Sequence, residues 1–451
     1  MRKEADAFMT RGCKIFISSY VVLGCLLITD LSVAAQGTGR VAVHATKRRY
    51  LQDASGNPIV IIGFGNEAKN RAAILDGLKG KINYQRAYVA LWGRKHDPNA
   101  YDGGRPWAMV DGKADMDVWN EIFWANLRNY IENARDRGII IGLTIWDGHY
   151  DLPGGKAGAE SIWQSQYNVQ NIQWAYDYRA LANFPNPKPT GGAGEKLVYY
   201  QRRWIDRLIN EVRDYPNVII ELDNETDEAS ESWFLWWAGY FIQKGNFVIA
   251  TTWNARYTIS DETFSKDPRL HIKFYHSRSD DAITPTRLSW NKVIVADADS
   301  KCSNLDATSA RRIAWRSFLK GGHWNDFVCA DTRGFPDSTK TQYYGHLLDF
   351  IKTRGVPFAE MMPSNNLIST GTALAKPGLY YLAYVEGSAN LDLTTALGVL
   401  DYEWYNPRTG KRSDSGQIQG GGLRIFSPPA SGDFVLWVRA ASATSTSSVV
   451  R

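Results

Sequence analysis

Eight apolar runs, separated by segments of helical period, dominate the chain between residues 57 and 330. They are NPIVIIGFG (57–65), INYQRAYVALWG (82–93), GIIIGLTIW (138–146), NVIIELDN (217–224), NFVIATTW (246–253), LHIKFYHS (270–277), NKVIVADA (291–298) and GGHWNDFVCA (321–330). Most are continuous rather than alternating, the pattern of parallel strands covered on both faces. The segments between them carry the other period. In VWNEIFWANLRNYIENARDRG, Ile122, Leu127, Ile131 and Ala134 recur three to five apart before Gly138 stops the helix. KLVYYQRRWIDRLINEVRDYP behaves likewise and ends at Pro216. This alternation predicts an α/β fold, a (β/α)₈ TIM barrel. An open doubly wound sheet is the competitor, but no Gly-x-Gly-x-x-Gly follows an early strand. P-loop, His-Glu-x-x-His and paired-Cys zinc spacings are also missing, so no cofactor or metal is expected.

The barrel is expected over 47–365. The texture changes near residue 370, where LYYLAYVEG, YEWYNPRTGK, GLRIFSPP and DFVLWVRA are separated by turn residues. That pattern predicts a small antiparallel β-sandwich over 370–440, followed by a disordered tail at 441–451. At the other end, Arg11 and Lys14 precede IFISSYVVLGCLLI, which is too short and polar to span a bilayer comfortably. The small residues SVAA follow, so residues 1–35 read as a signal peptide cleaved near Ala35, with a linker at 36–46. A secreted or periplasmic protein without a membrane span is expected. Lipoprotein anchoring at Cys25 ranks second, because the apolar run continues past it. Beyond the signal only Cys302 and Cys329 remain, and both a disulfide and two buried thiols stay open. The net charge of +5 is spread without long basic blocks, which argues against a nucleic-acid partner. Seventeen Trp and 23 Tyr suit either core filling or stacking on sugar rings.

Barrel enzymes keep their chemistry at the C-terminal ends of the strands. Here those ends hold Asn66-Glu67, Arg86 and Trp92, Trp146 and His149, Asn224-Glu225, and Trp253-Asn254. The last three strands add Tyr275 and His276, Asp297 and Asp299, and Trp324. Aromatic, amide, imidazole and carboxyl groups thus gather at one rim, where a mere scaffold has no need of them. Two carboxylates on facing strands are what glycosidic-bond hydrolysis requires: one protonates the leaving oxygen, the other attacks the anomeric carbon or activates water. Glu225 is the acid candidate, while Asp227 and Glu228 suit a helix N-terminus. Asp297 and Asp299 lie two apart and so share a face; one is the candidate nucleophile and the other a binding or orienting group. Arg86 is a lone charge in an apolar strand, which either a catalytic carboxylate or a structural ion pair would satisfy. Asn224, Trp92, Trp146, His149, Trp253, Tyr275, His276 and Trp324 are candidate carbohydrate contacts, each with a structural alternative. The long insertion at 147–193 carries Trp163, Tyr167, Trp174 and Tyr178 and is expected to wall the cleft.

NYQRAY, ELDNETD and FYHS, with an acidic seventh strand, resemble the pattern of glycoside hydrolase clan A. RRYLQDASGNPIVIIGFG resembles the start of the apiosidase-like barrel family. GLYYLAYVEGSANLDLT, YEWYNPRTGK and FSPPASGDFVLWVRA are similar to the β domain, labelled as collagen-binding, that often follows those barrels. The resemblance spans about residues 47–440. It implies Glu225 as acid/base, Asn224 on a sugar hydroxyl, Arg86 near the nucleophile, and Tyr275 or His276 touching it. Clan A normally carries Glu on the seventh strand, whereas this chain has Asp297 in VIVADADS, as do related barrels with an Asp-x-Asp strand end; RRIAWRSFLKGG resembles their next helix. A carboxylate one methylene shorter leaves retention or inversion open. The expected function is hydrolysis of O-glycosidic bonds in a poly- or oligosaccharide. The alternatives are a non-catalytic carbohydrate-binding or cell-surface protein on a decayed barrel, and a collagen-binding adhesin.

Overall fold

The computed structural model describes residues 40–66, 71–89, 105–147, 162–172, 193–224, 231–253, 259–277, 279–298, 305–328 and 337–441. The expected signal peptide, both cysteines and nearly all of the C-terminal tail lie outside them. Eight parallel strands close into a barrel: β1 (Ile62–Asn66), β2 (Tyr84–Tyr88), β3 (Ile140–Asp147), β4 (Val218–Asn224), β5 (Ile249–Trp253), β6 (Ile272–His276), β7 (Val293–Asp297) and β8 (His323–Val328). Each pairs with the next, and β8 returns to β1. Helices follow them in turn: α1 (Arg71–Leu78), α2 (Glu121–Arg135), α3 (Ala193–Val212), α4 (Glu231–Gly245), α5 (Asp261–Lys266), α6 (Pro285–Ser289), α7 (Ala307–Leu319) and α8 (Ser338–Thr353). None of these helices is long and apolar enough to cross a membrane.

Burial on both faces explains the unbroken apolar runs. Inward residues such as Ile140, Ile219, Ala250, Ile272, Phe274, Val293 and Val295 fill the barrel. Their outward neighbours pack under the helices. In α2 the buried stripe is Phe123, Trp124, Leu127, Tyr130, Ile131 and Ala134, so Ile122, expected on it, is 67% exposed. The helix begins where the Asn120 side chain accepts from the Ile122 N–H, and Gly138 follows it at φ 71°. Two features depart from expectation. Residues 42–43, expected as linker, form a strand on Leu51–Gln52. A hairpin, Trp107–Val110 with Lys113–Trp119, interrupts the β2–α2 connection; it turns at Asp111 and Gly112, both at positive φ.

The C-terminal strands are β9 (Met362–Pro363), β10 (Thr372–Lys376), β11 (Tyr380–Val385), β12 (Ala389–Asp392), β13 (Val399–Asn406), β14 (Lys411–Gln419), β15 (Leu423–Phe426) and β16 (Phe434–Ala440). Six form an antiparallel sheet ordered β9-β10-β11-β16-β13-β14, and β12 pairs with β15 as a second layer. One face of the large sheet buries Ala383, Trp404, Leu436 and Val438 against Leu391 and Phe426. The other puts Leu382, Tyr384, Tyr405 and Val435 into the core of the barrel's helical layer. Phe350 of α8 meets Tyr405 at 4.8 Å between ring centroids, and Trp315 of α7 stacks on Tyr384. Within this contact Arg311 of α7 donates two hydrogen bonds to Asp433, at 2.8 and 2.9 Å, and the Tyr384 hydroxyl donates to the same carboxylate. Burial alone would push the Asp433 carboxyl up, but the hydrogen bonds from Arg311 and Tyr384 hold it below the ordinary carboxylate value.

Two histidines cap the opposite end of the barrel. The Ile61 N–H donates to His323 Nδ1 at 2.7 Å, and His323 Nε2 donates to the Arg49 carbonyl at 2.8 Å. The Ile249 N–H donates to His271 Nδ1 at 3.0 Å. Burial pulls His323 from 6.5 down to about 4, helped by the adjacent Arg49 charge. Burial, with Lys292 and Arg48 nearby, takes His271 to about 4 as well.

Two outcomes are expected. Asp433→Ala strands the buried Arg311 charge and lowers unfolding free energy by about 3 kcal/mol or more in urea titration, with barrel and β domain still melting together; separate transitions would contradict the shared core. Between pH 6.5 and about 4 the unfolded histidines bind protons that the folded ones refuse, so stability falls as pH drops through that window. His323 alone accounts for about 3 kcal/mol of that loss, and His323→Gln should flatten the dependence measured by thermal unfolding.

Candidate active site

The inward face of β2 carries Tyr84, Arg86 and Tyr88, and Arg86 is fully buried. A lone guanidinium there costs several kcal/mol unless it is paired. Among the described residues, four side chains accept its hydrogen bonds. Arg86 Nε donates to Glu221 Oε2 at 2.6 Å and Nη1 to Asp297 Oδ2 at 3.3 Å. Nη2 donates to Asn224 Oδ1 at 3.0 Å and to Thr252 Oγ1 at 2.8 Å. The ends of β4, β5 and β7 therefore converge on one cation from β2.

Asp297 is fully buried at the C-terminal end of β7. Asn325 Nδ2 donates to its Oδ1 at 2.9 Å, while Oδ2 faces Arg86 and lies 3.5 Å from His276 Nε2. Each oxygen thus has its own orienting partner, which fixes the carboxylate plane. Asn224 is fixed from both sides: its Oδ1 accepts from Arg86 Nη2, and its Nδ2 donates to Asp147 Oδ2 at 3.0 Å. Beneath lies Glu221, which also accepts from Tyr84 Oη and, at 3.0 Å, from Thr144 Oγ1. Room for this layer comes from small residues. A Cβ on Gly142 would sit 2.7 Å from Glu221 Oε1 and collide with the Tyr84 ring, and one on Gly63 would sit 2.6 Å from Asn325 Oδ1.

Strict alternation fails in one place. On β3 and β4, Thr144 and Glu221 face inward, yet the next inward contacts are Asp147 and Asn224, three residues on. Asp223 instead accepts from Thr251 Oγ1 at 2.8 Å, and Trp146 packs among Trp163, Trp204, Trp233 and Trp237. The facing of both paired strands switches together, which brings Asn224 onto Arg86.

Of the expected site residues, Arg86, Asn224, His276 and Asp297 are brought together. Three are corrected. Trp146 is buried toward α3 and α4, not in a cleft. Trp324 lies on the helix-facing side of β8 and is equally buried, because its neighbour Asn325 takes the inward place. Tyr275 points away from Asp297: its hydroxyl donates to Asp261 Oδ1 at 2.6 Å and its ring lies 3.8 Å below the Arg287 guanidinium. Burial, then the Asp261 carboxylate, pushes that hydroxyl far up. Trp163, expected on a cleft wall, is buried against Trp107 and Trp146. Glu225, Asp299, Trp92 and His149 lie outside the described residues, as do Trp174, Tyr178 and the side chain of Trp253. Glu221, Asp147, Thr252 and Asn325 were not anticipated. The signal for Glu221 was present, since it is a charge inside an apolar strand just as Arg86 is.

Residues 362–439 match the family model described as "Putative collagen-binding domain of a collagenase". No curated protein sequence matches the chain. Among solved structures, one named "Glycoside hydrolase" superposes with a TM-score of 0.61 at 14% identity, covering 90% of this chain and 98% of that one. A glycoside hydrolase family 5 protein from Bacteroides vulgatus ATCC 8482 gives a TM-score of 0.62 at 16% identity, covering 90% of this chain and 93% of that one. At such identities the likeness is one of fold, and it extends over nearly the whole length of both proteins.

Gly142→Ala is expected to disturb the Tyr84–Glu221 layer and cost roughly 1–3 kcal/mol. An unchanged urea midpoint would show that this layer is loosely packed.

Proposed function

We propose that the chain is a glycoside hydrolase of clan A type, with Asp297 as the nucleophile and Glu225 as the acid/base. One observation carries the reading. Arg86 holds Asn224, the residue before Glu225, at 3.0 Å and Asp297 at 3.3 Å, so the tips of β4 and β7 meet at one cation. Hydrolysis of a glycoside needs two carboxyl groups on opposite sides of the scissile bond, one of them held ionised. The fixed, doubly partnered Asp297 suits the attacking role, and its location at a strand's C-terminal end suits a barrel active site. The full-length likeness of fold to glycoside hydrolases supports the same class. The substrate is proposed to be an oligo- or polysaccharide, cleaved with retention.

A glycan panel assayed for released reducing ends tests this. Glu225→Gln should lower kcat by roughly 10²–10⁴-fold on whatever the wild type cleaves. Asp297→Asn should abolish turnover while leaving the fold intact by circular dichroism. Equal activity in the wild type and both variants would refute the assignment, and binding without turnover would make the protein a lectin on this barrel.

A further inference from the structure

Among the described residues, Arg86 is held more tightly by Glu221 than by Asp297. Its shortest contact there, 2.6 Å, is with Glu221, whereas Asp297 lies 3.3 Å away. Glu221 is fully buried and itself fixed by Tyr84 and Thr144. It sits one inward layer below Asn224 on β4, too deep to touch a substrate.

We propose that Glu221 is a positioning residue that restrains the Arg86 guanidinium and so leaves Asp297 only partly neutralised. The proposal rests on the glycosidase reading and deepens it. A carboxylate that must attack carbon or take a proton loses reactivity as its charge is neutralised, since basicity and nucleophilicity fall together. Yet a buried carboxylate without a cation would hold a proton and be inert. A guanidinium shared between two carboxylates meets both demands. Arg86 from β2 and His276 from β6 are the charged or titratable groups that contact Asp297 among the described residues, and Asn325 from β8 is a neutral donor. Glu221 acts on Asp297 through Arg86, and among the described residues Arg86, Tyr84 and Thr144 face Glu221.

Glu221→Gln tests this, because it keeps the shape and an acceptor for Nε but removes the charge. Of the two described carboxylates, only Asp297 then pairs with Arg86. The acid limb of kcat/KM is expected to move about one pH unit lower, kcat to fall roughly tenfold and KM to stay within about twofold. Glu221→Asp, which withdraws the charge by one methylene, should shift the limb the same way by less, and it serves if the Gln variant does not fold. A purely structural role would lower the melting temperature without moving the acid limb, and a variant with wild-type kcat and acid limb overturns the proposal. If the wild type cleaves no glycan, the glycosidase reading has failed on its own. The restraint on Arg86 is then read from a crystal structure of E221Q, where the Arg86–Asp297 contact should close toward ~2.8 Å. A contact unchanged at 3.3 Å would overturn it.

Discussion

Arg86, fully buried inside the barrel, donates to Glu221 at 2.6 Å, to Thr252 at 2.8 Å, to Asn224 at 3.0 Å and to Asp297 at 3.3 Å. That charge is fully buried and needs polar partners, and three other strands deliver oxygen atoms to it. The switch of facing in β3 and β4 makes the delivery work, because alternation alone would have sent Asn224 toward the helices. Once Asp297 is fixed by Asn325 and Arg86, one wall of the site is constrained.

The C-terminal sheet contributes differently. It does not reach the Arg86 cluster; it covers α7 and α8 and shares their core through Tyr384, Tyr405 and Val435. Arg311 and Asp433 form a buried pair at that contact, and the Tyr384 hydroxyl donates one further hydrogen bond to the carboxylate. Helix α7 runs directly from β7, the strand that carries Asp297, to β8, the strand that carries Asn325. The sheet therefore packs on the helix that lies in sequence between the strands carrying Asp297 and Asn325.

Much of this was legible before the structure. Continuous apolar runs located all eight barrel strands because parallel strands are covered on both faces. Arg86 stood out as a costly charge, and of the strand-end acids and amides Asn224 and Asp297 do meet it. The direction of individual side chains was less accessible. Tyr275 and Trp324 each neighbour a residue that faces inward, His276 and Asn325, and a one-residue step on a strand reverses the face. Applying that rule to the run would have sent both aromatics to the helices. Trp146 obeys no such rule, since β3 and β4 change facing after Thr144 and Glu221, and that change depends on tertiary contacts. The same limit hid Asp147. In α2 the apolar spacing was found but its phase was not, so Ile122 was placed on the wrong side.

The central claim is that the strand-seven carboxylate held by Arg86 performs the chemistry. Incubation with activated 2-deoxy-2-fluoro glycosides, followed by proteolysis and tandem mass spectrometry, tests it most directly, because a retaining nucleophile is trapped as a slowly hydrolysed glycosyl ester. The account predicts a glycosyl adduct on Asp297. An adduct on Asp299 or another carboxylate, with Asp297 unmodified, would contradict it.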